Sequence, residues 1–413
     1  MPQDVPDAVD VLAPFEGGYD IPGFPLRRRW FDARDLTEAQ RDEILELLRI
    51  SFNDQVSWFA LPVRPADHFE WKFRDRPTGV TLHTTIDAED RIVGFTGGMR
   101  RIWWTEGRPL ISRGGYDLCL SPDWQGQGVQ RAFNHLGSLE WHPSEDIGVG
   151  YVTHPADRHM AIEGGNTAPA NETHDYVRHL HPIGQLIGRL SRSSGRAVDT
   201  AGSARMSNTA AVIRERERGR FDRARDLGMR TWLQTRALFA RRRAPRGPWT
   251  TLTLGQFEPR HEEFVTEALS QFDFVADRSI AYLNWRYCDE RAGPFTVRVA
   301  EHDGRMLAFA VTRVLGAGAQ IVDLLALPGR EEVAEALVRD SVRLAESGGA
   351  EHVTARLPQC HPYVASLRRA GFFDVGHVGG ELVAPRRAPA ESLAFLERMD
   401  ARIHLVFADS DFV

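Results

Sequence analysis

"LCLSPDWQGQGVQRAFNHL", residues 118–136, changes character at Pro122. Before the proline the chain is apolar and reads as a strand. After it come Gln125, Gly126, Gln127 and Gly128, and then a helical pattern that begins at Val129, Gln130 and Arg131. Glycine adopts backbone conformations closed to other residues and allows close approach of a ligand. Backbone N–H groups in such a turn, backed by a helix start, bind an anion without a charged side chain. The stretch reads as a strand delivered into a helix through a phosphate-binding turn. The plainer alternative is an ordinary β-to-α turn capped by glycines.

Working outward, the chain repeats itself. "FEWKFRDRPTG" (69–79) resembles "LNWRYCDERAG" (283–293), with Trp71 on Trp285 at an offset of 214. The same offset lays "RIVGF" (91–95) on "RMLAF" (305–309). "YDLCLSP" (116–122) lies over "VDLLALP" (322–328) at 206, and "HPADRHMAIEGG" (154–165) over "HPYVASLRRAGF" (361–372) at 207. Four segments in one order, with small gaps, indicate two copies of one fold.

Each copy reads as helix, strands, turn, helix, strand, helix, a mixed α/β layer. "TEAQRDEILELLRISF" (37–52) has helical periodicity behind a Thr37 cap. "GVTLHTTID" and "RIVGFTGGMRRIWW" read as strands joined by "AEDR". "PLISRGGYDLCL" is the next strand, "GVQRAFNHLGSLEW" (128–141) the next helix and "GVGYVTH" a further strand. "REEVAEALVRDSVRLAES" is the counterpart helix of the second copy. The polar, Gly/Ser-rich stretch 191–209 reads as a linker. The expected division is an N-terminal domain over 1–185, a basic linker with helices over 186–250, and a second copy with its tail over 251–413.

With those residues in hand, the chain resembles the GCN5-related N-acetyltransferase family. Strand, Pro122, Gln125-Gly126-Gln127-Gly128, helix looks like the family's acyl-coenzyme A motif, Gln/Arg-x-x-Gly-x-Gly/Ala. The duplication resembles tandem members. The resemblance covers roughly 37–180 and 255–380. It implies two α/β acyl-CoA N-acyltransferase-like folds in tandem, and acetyl-CoA or another acyl-CoA as co-substrate. It implies cofactor contacts from Leu118, Cys119 and Leu120 along the pantetheine arm and from residues 125–131 at the pyrophosphate. Gln130 stands where the motif has Gly or Ala. At the offset of 206 the second copy has Glu331, Glu332 and Ala334 in place of Gln125, Gly126 and Gly128. Carboxylates there repel a phosphate, so the second copy reads as a non-binding partner.

Direct acyl transfer to an amine needs a base for the ammonium proton and an acid for the departing thiolate. Asp117 is the candidate base on the middle strand. Asp323 repeats it in the degenerate copy, which also fits a shared structural role. The family's usual acid, a tyrosine, falls on Met160. His154 and His159 titrate near neutrality and can serve, and Tyr116 and Tyr151 lie on flanking strands. Seven histidines fall between His135 and His181, without a metal-ligand pattern. No metal is expected.

The 413 residues suit two or three domains. The net charge of −6 selects no partner, and Lys72 is the sole lysine. The stretch 189–246 carries 16 Arg against 5 acidic residues, leaving about −17 for the rest. That asymmetry argues against a nucleic-acid binder. The basic segment 214–243 fits an interdomain helix, or a contact with a membrane surface or an anionic ligand. Cys119, Cys288 and Cys360 are too few and too dispersed for a disulfide framework, and no secretory or transmembrane stretch is evident, so a cytoplasmic location is expected. The resulting expectation is an acyl-CoA-dependent N-acyltransferase acting on a small-molecule amine or amino sugar. The alternatives are a non-catalytic tandem scaffold, and an aminoacyl transferase using charged tRNA, against which the coenzyme A turn argues.

Overall fold

The computed structural model describes residues 15–52, 59, 61–134, 136–152, 162, 165–180, 245–377 and 380–409. Its first copy begins with strands β1 (Gly17–Asp20) and β2 (Arg27–Asp32), followed by helix α1 (Glu38–Ser51). Thr37 and Gln40 close a capping box at the α1 start, each side chain meeting the other's backbone N–H. Ile44, Leu47 and Leu48 form its buried face. Helix α2 (Pro65–Phe69) runs into a π-helical turn, Glu70–Arg74. Strands β3 (Val80–Ile86), β4 (Ile92–Thr105) and β5 (Arg108–Leu120) form an antiparallel meander. Helix α3 (Val129–Asn134), β6 (Ile147–Val152) and β7 (Thr173–His179) complete the copy.

The second copy repeats the order. It comprises β8 (Thr250–Leu254), α4 (Glu262–Leu269), a short β9 (Phe274–Ala276) and α5 (Ile280–Leu283), which enters a π turn, Asn284–Cys288. Then come β10 (Phe295–His302), β11 (Arg305–Leu315), β12 (Gly318–Ala326), α6 (Glu331–Ser347), β13 (His352–Pro358), α7 (Val364–Arg369), β14 (Phe373–His377) and β15 (Gly380–Pro385). A two-residue β16 (Ile403–His404) follows.

The sheets exchange strands. The first runs β1-β2-β3-β4-β5-β6-β15, the second β14-β7-β13-β12-β11-β10-β8. β7 leaves the first copy and lies between β13 and β14, with seven registered pairs to β13 from Thr173↔Pro358 to His179↔His352. β15 returns the exchange, pairing with β6 from Gly380↔Val152 to Pro385↔Ile147. At the repeat offset of 207, Thr173 corresponds to Gly380, so the two donated strands are equivalents. A division by sheet therefore places 173–179 with the second copy and 380–385 with the first, unlike the division by sequence. β9 also adds to β4 through Trp103↔Ala276, and Trp103 stacks on Phe274 at 4.6 Å.

The helix expected over 128–141 is shorter. It spans Val129–Asn134, and a 3₁₀ turn follows at Gly137–Glu140. Glu140 turns inward, where its carboxylate accepts from Arg28 Nε (3.1 Å) and the Tyr19 hydroxyl (2.7 Å). Burial alone would raise its pKa. His83 and Arg28 outweigh burial and hold it well below the usual carboxylate range. A regular helix would not turn this residue into the sheet. The counterpart α6 runs unbroken for 17 residues, burying Val333, Leu337, Val338 and Val342.

Candidate active site

The site forms where β5 bulges. Phe95 opposes Cys119 and Gly97 opposes Tyr116, so Asp117 and Leu118 together face the single residue Thr96. Bulges re-aim side chains and recur beside active sites. Asp117 takes φ +53, a left-handed conformation uncommon outside glycine but more tolerated by Asp. Its Oδ2 accepts from Lys72 Nζ at 2.7 Å, and both side chains are nearly buried. Lys72 is delivered by the π turn after α2; such turns frequently mark functional sites. The one sequence signal that marks this pair is that Lys72 is the only lysine of the chain.

β5 and β6 diverge beside the bulge. Their parallel pairing consists of Ser112↔Ile147 and Arg113↔Gly148. β5 continues to Leu120 and β6 to Val152 without further registered pairs, which opens a gap between parallel strands. Leu118 stands exposed there, 42% accessible. Cys119 is buried, and burial together with the charge of Asp117 pushes its thiol up to about 12. It stays protonated at neutral pH and is no nucleophile.

At the end of β5 the chain enters the glycine turn. Gly126 and Gly128 have φ +73 and +88, and a Cβ on either would meet nothing within 4 Å. Among the described residues the amides of Gly126, Gln127 and Gly128 have no acceptor. The glutamines hold the turn instead of lining it. Gln125 Nε2 donates to the Leu120 carbonyl at 2.7 Å and Gln127 Nε2 to that of Asp123. Val129 packs with Ile21, Leu26 and Val93, while Gln130 and Arg131 are exposed. Open glycines and unpaired amides suit an anionic group at this turn.

The second copy repeats the bulge, with Val311↔Asp323 and Thr312↔Ile321 leaving Val322 as the extra residue. β12 and β13 also diverge, after Ile321↔Ala355. Here the gap is filled. The Tyr363 hydroxyl donates to the Ala326 carbonyl (3.0 Å) and accepts from the Ala326 amide (2.8 Å). The tail packs against β12 and β13, with Phe407 buried under Arg356 at 4.4 Å. Asp323 is fully buried, accepting from Arg278 Nε at 2.8 Å and the Tyr287 hydroxyl at 2.6 Å. Burial would raise its pKa, but Arg278, His404 and Tyr287 hold it well below the usual range.

Between the copies lies a near two-fold axis. Trp71 and Trp285 stack at 4.8 Å. Trp71 Nε1 donates to the Trp285 carbonyl (2.7 Å), and Trp285 Nε1 to that of Trp71 (2.9 Å). A small cavity opens beside them, lined in part by Lys72, Arg76, Arg101, Tyr116 and Arg286. Tyr116 thus points to the axis, and its ring crosses Gly114 so closely that a Cβ there would meet it at 2.7 Å. His154, His159, Met160 and the segment 214–243 lie outside the described residues, as do 191–209 and the side chain of Tyr151. His174 is tied to Asp374 at 2.8 Å and His179 stacks on Phe373. Among the described residues no group of side chains is set to hold a metal ion, and no helix is long and apolar enough to cross a membrane.

A bulged strand parting from a parallel neighbour occurs at equivalent points of both sheets, and in the first it runs on into the Gly126–Gly128 turn. The chain carries the GCN5-related N-acetyltransferase fold twice. Among solved structures, a conserved protein of unknown function from Enterococcus faecalis V583, described as a probable N-acyltransferase, superimposes with a TM-score of 0.54 at 9% identity, covering 87% of this chain and 73% of its own. A GCN5-related N-acetyltransferase from Anabaena variabilis gives 0.52 at 9% identity, covering 86% and 72%. No family model and no curated protein matches the sequence. At such identities the GCN5-related likeness is one of fold, with both proteins spanned across most of their length.

Proposed function

We propose that the first copy binds an acyl-CoA and transfers its acyl group to a primary amine, while the second copy serves as scaffold and completes the acceptor site. The observation that carries this reading is the contrast between the two gaps. Among the described residues the β5/β6 gap has no counterpart of the Tyr363 and Phe407 contacts that stop the β12/β13 gap, and it continues into a turn with unpaired amides. Amides at Gly126–Gly128 fit the pyrophosphate, exposed Leu118 fits the apolar stretch of the pantetheine, and the unpaired edge of β5 fits its amides. Acyl-CoA, when bound, supplies an activated thioester to the amine.

The chain's own residues do the rest. Asp117, turned by the bulge, accepts the ammonium proton as the amine becomes a nucleophile. Lys72 fixes its carboxylate. Tyr116, on the same strand and lining the cavity, is the described residue best placed to return a proton to the thiolate. His154 and His159 remain candidates for that step. The acceptor reaches Asp117 from the axis cavity.

Thiol release from acetyl-CoA with a panel of primary amines, including amino sugars, tests the assignment. Asp117→Asn, with folding checked by its melting curve, lowers kcat by about 10²-fold or more, as general-base losses do. Unchanged turnover would remove Asp117 from the mechanism. Turnover with no amine in the panel, together with no binding of acetyl-CoA, would leave the tandem scaffold as the better reading.

A further inference from the structure

We infer that the cavity on the axis between the copies binds a small oxyanion, a carboxylate or phosphate group carried by the amine acceptor. The word acceptor rests on the acyl-transfer reading; the anion site rests on the cavity itself. Four cations, Lys72, Arg76, Arg101 and Arg286, line the cavity against one carboxylate, Asp409. That carboxylate is already engaged twice, by Arg101 Nη2 at 2.5 Å and by Arg278 Nη2 at 2.9 Å. Lys72 is committed to Asp117.

Arg76 is different. It is buried, yet among the described residues it forms no ion pair. Its Nε donates to the Thr78 hydroxyl (3.2 Å) and to the Arg100 carbonyl (3.3 Å), and its Nη1 meets the Met99 sulfur at 3.3 Å. All three acceptors are neutral, and Nη2 has none. Burial drives its pKa down to about 10; Tyr282 and Tyr116 act against that shift, and Arg101 and Arg286 add to it. The group is therefore still charged at neutral pH, at a standing cost that only an anion would relieve.

The guanidinium is also held in place. Arg76 stacks over Trp285 at 4.8 Å, and Arg286 lies over Trp71 at 5.5 Å, each cation on the other copy's tryptophan. A planar fork fixed on an aromatic face is preorganised for a carboxylate or phosphate. Tyr116 and Lys72 line the same cavity, so an acceptor anchored there by its anion lies against the Asp117 bulge. The site therefore favours acidic amines, such as amino acids or amino-sugar phosphates, over neutral ones.

Thermal melting of the full chain at constant ionic strength, with inorganic phosphate or acetate replacing chloride, tests this. A saturable rise in Tm is expected for at least one anion, and the larger rise identifies the group as phosphate or carboxylate. Arg76→Gln weakens the apparent Kd at least about tenfold, the loss of one charge-assisted contact, while acetyl-CoA binding persists. Arg286→Gln gives a second variant should Arg76→Gln fail to fold. Gly128→Glu retains the anion response, which separates this cavity from the pyrophosphate turn. No saturable shift in the wild type, or an unchanged shift in both arginine variants, overturns the proposal. So does loss of the anion response in Gly128→Glu with its retention in Arg76→Gln. None of these outcomes depends on acyl transfer, so the two readings fail separately.

Discussion

The same bulge serves two ends in this molecule. In the first copy Asp117 sits at a partly open edge, paired with one lysine, beside a gap that leads to exposed glycines. In the second copy Asp323 sits at the equivalent point, fully buried, held by Arg278, Tyr287 and His404, beside a gap stopped by a tyrosine and by the chain's own tail. The fold forms both with the Gly126–Gly128 turn and with Glu332 and Ala334 in its place. The Gly126–Gly128 turn, with its open glycines and unpaired amides, is therefore a property of the first copy that folding does not require, and a bound anion accounts for it better than architecture does.

The strand exchange offers the severest way to break the comparison. If the copies are halves of one interlocked unit, residues 1–185 produced alone will lack the edge strand β15 and residues 251–413 the interior strand β7, each leaving a strand edge unpaired. Neither half should show a cooperative melt alone. Recovery of a single transition on mixing would support the exchange, and two independently folded halves would contradict it.

A smaller effect separates the two aspartates. Asp323→Asn leaves Arg278 with one fewer counter-ion in a fully buried network and should cost about 3–5 kcal/mol. Asp117→Asn should cost less than half of that, because Lys72 lines a cavity that water can enter and Asn suits the left-handed backbone. Denaturant melts of both variants would decide. Equal losses would mean that Asp117 is as structural as its counterpart.

Acid gives the mildest test and bears on both copies. Burial, then the charges of Lys72 and Arg113, push His68 and His83 down to about 3. His361 in the second copy is also lowered, by burial and then His404. These rings are neutral when folded, whereas the unfolded chain protonates them below about 6.5. Stability is thus full above that pH and falls as pH drops toward 3, by up to about 1.4 kcal/mol per pH unit for each ring. His68→Gln should flatten the dependence of Tm on pH between 6.5 and 4.5. An unchanged slope would mean that His68 is protonated in the fold.

Much of this was legible in the sequence, for physical reasons. Strand and helix periods gave α1, β3, β4, β5 and α6 nearly to the residue. The repeat placed Trp71 on Trp285 and Asp117 on Asp323, and both pairs prove to be equivalent positions. The exchange of β7 and β15 was not legible, because two similar strands fit either sheet and the choice depends on non-local pairing. The short α3 was missed because a helical period does not disclose that Glu140 is drawn inward by Arg28 and His83. Arg76 was hidden among 50 arginines, where composition alone marks none as special. Gln125 looked like a ligand contact but holds the turn through the Leu120 carbonyl, and Gln130, the departure from the motif, lies exposed beyond it.

Calorimetric titration of the full chain with acetyl-CoA tests the contrast between the copies most directly. The account predicts one site per chain, lost in Gly128→Glu and retained in Glu332→Ala. Two sites per chain, no binding at all, or binding that survives Gly128→Glu would contradict it.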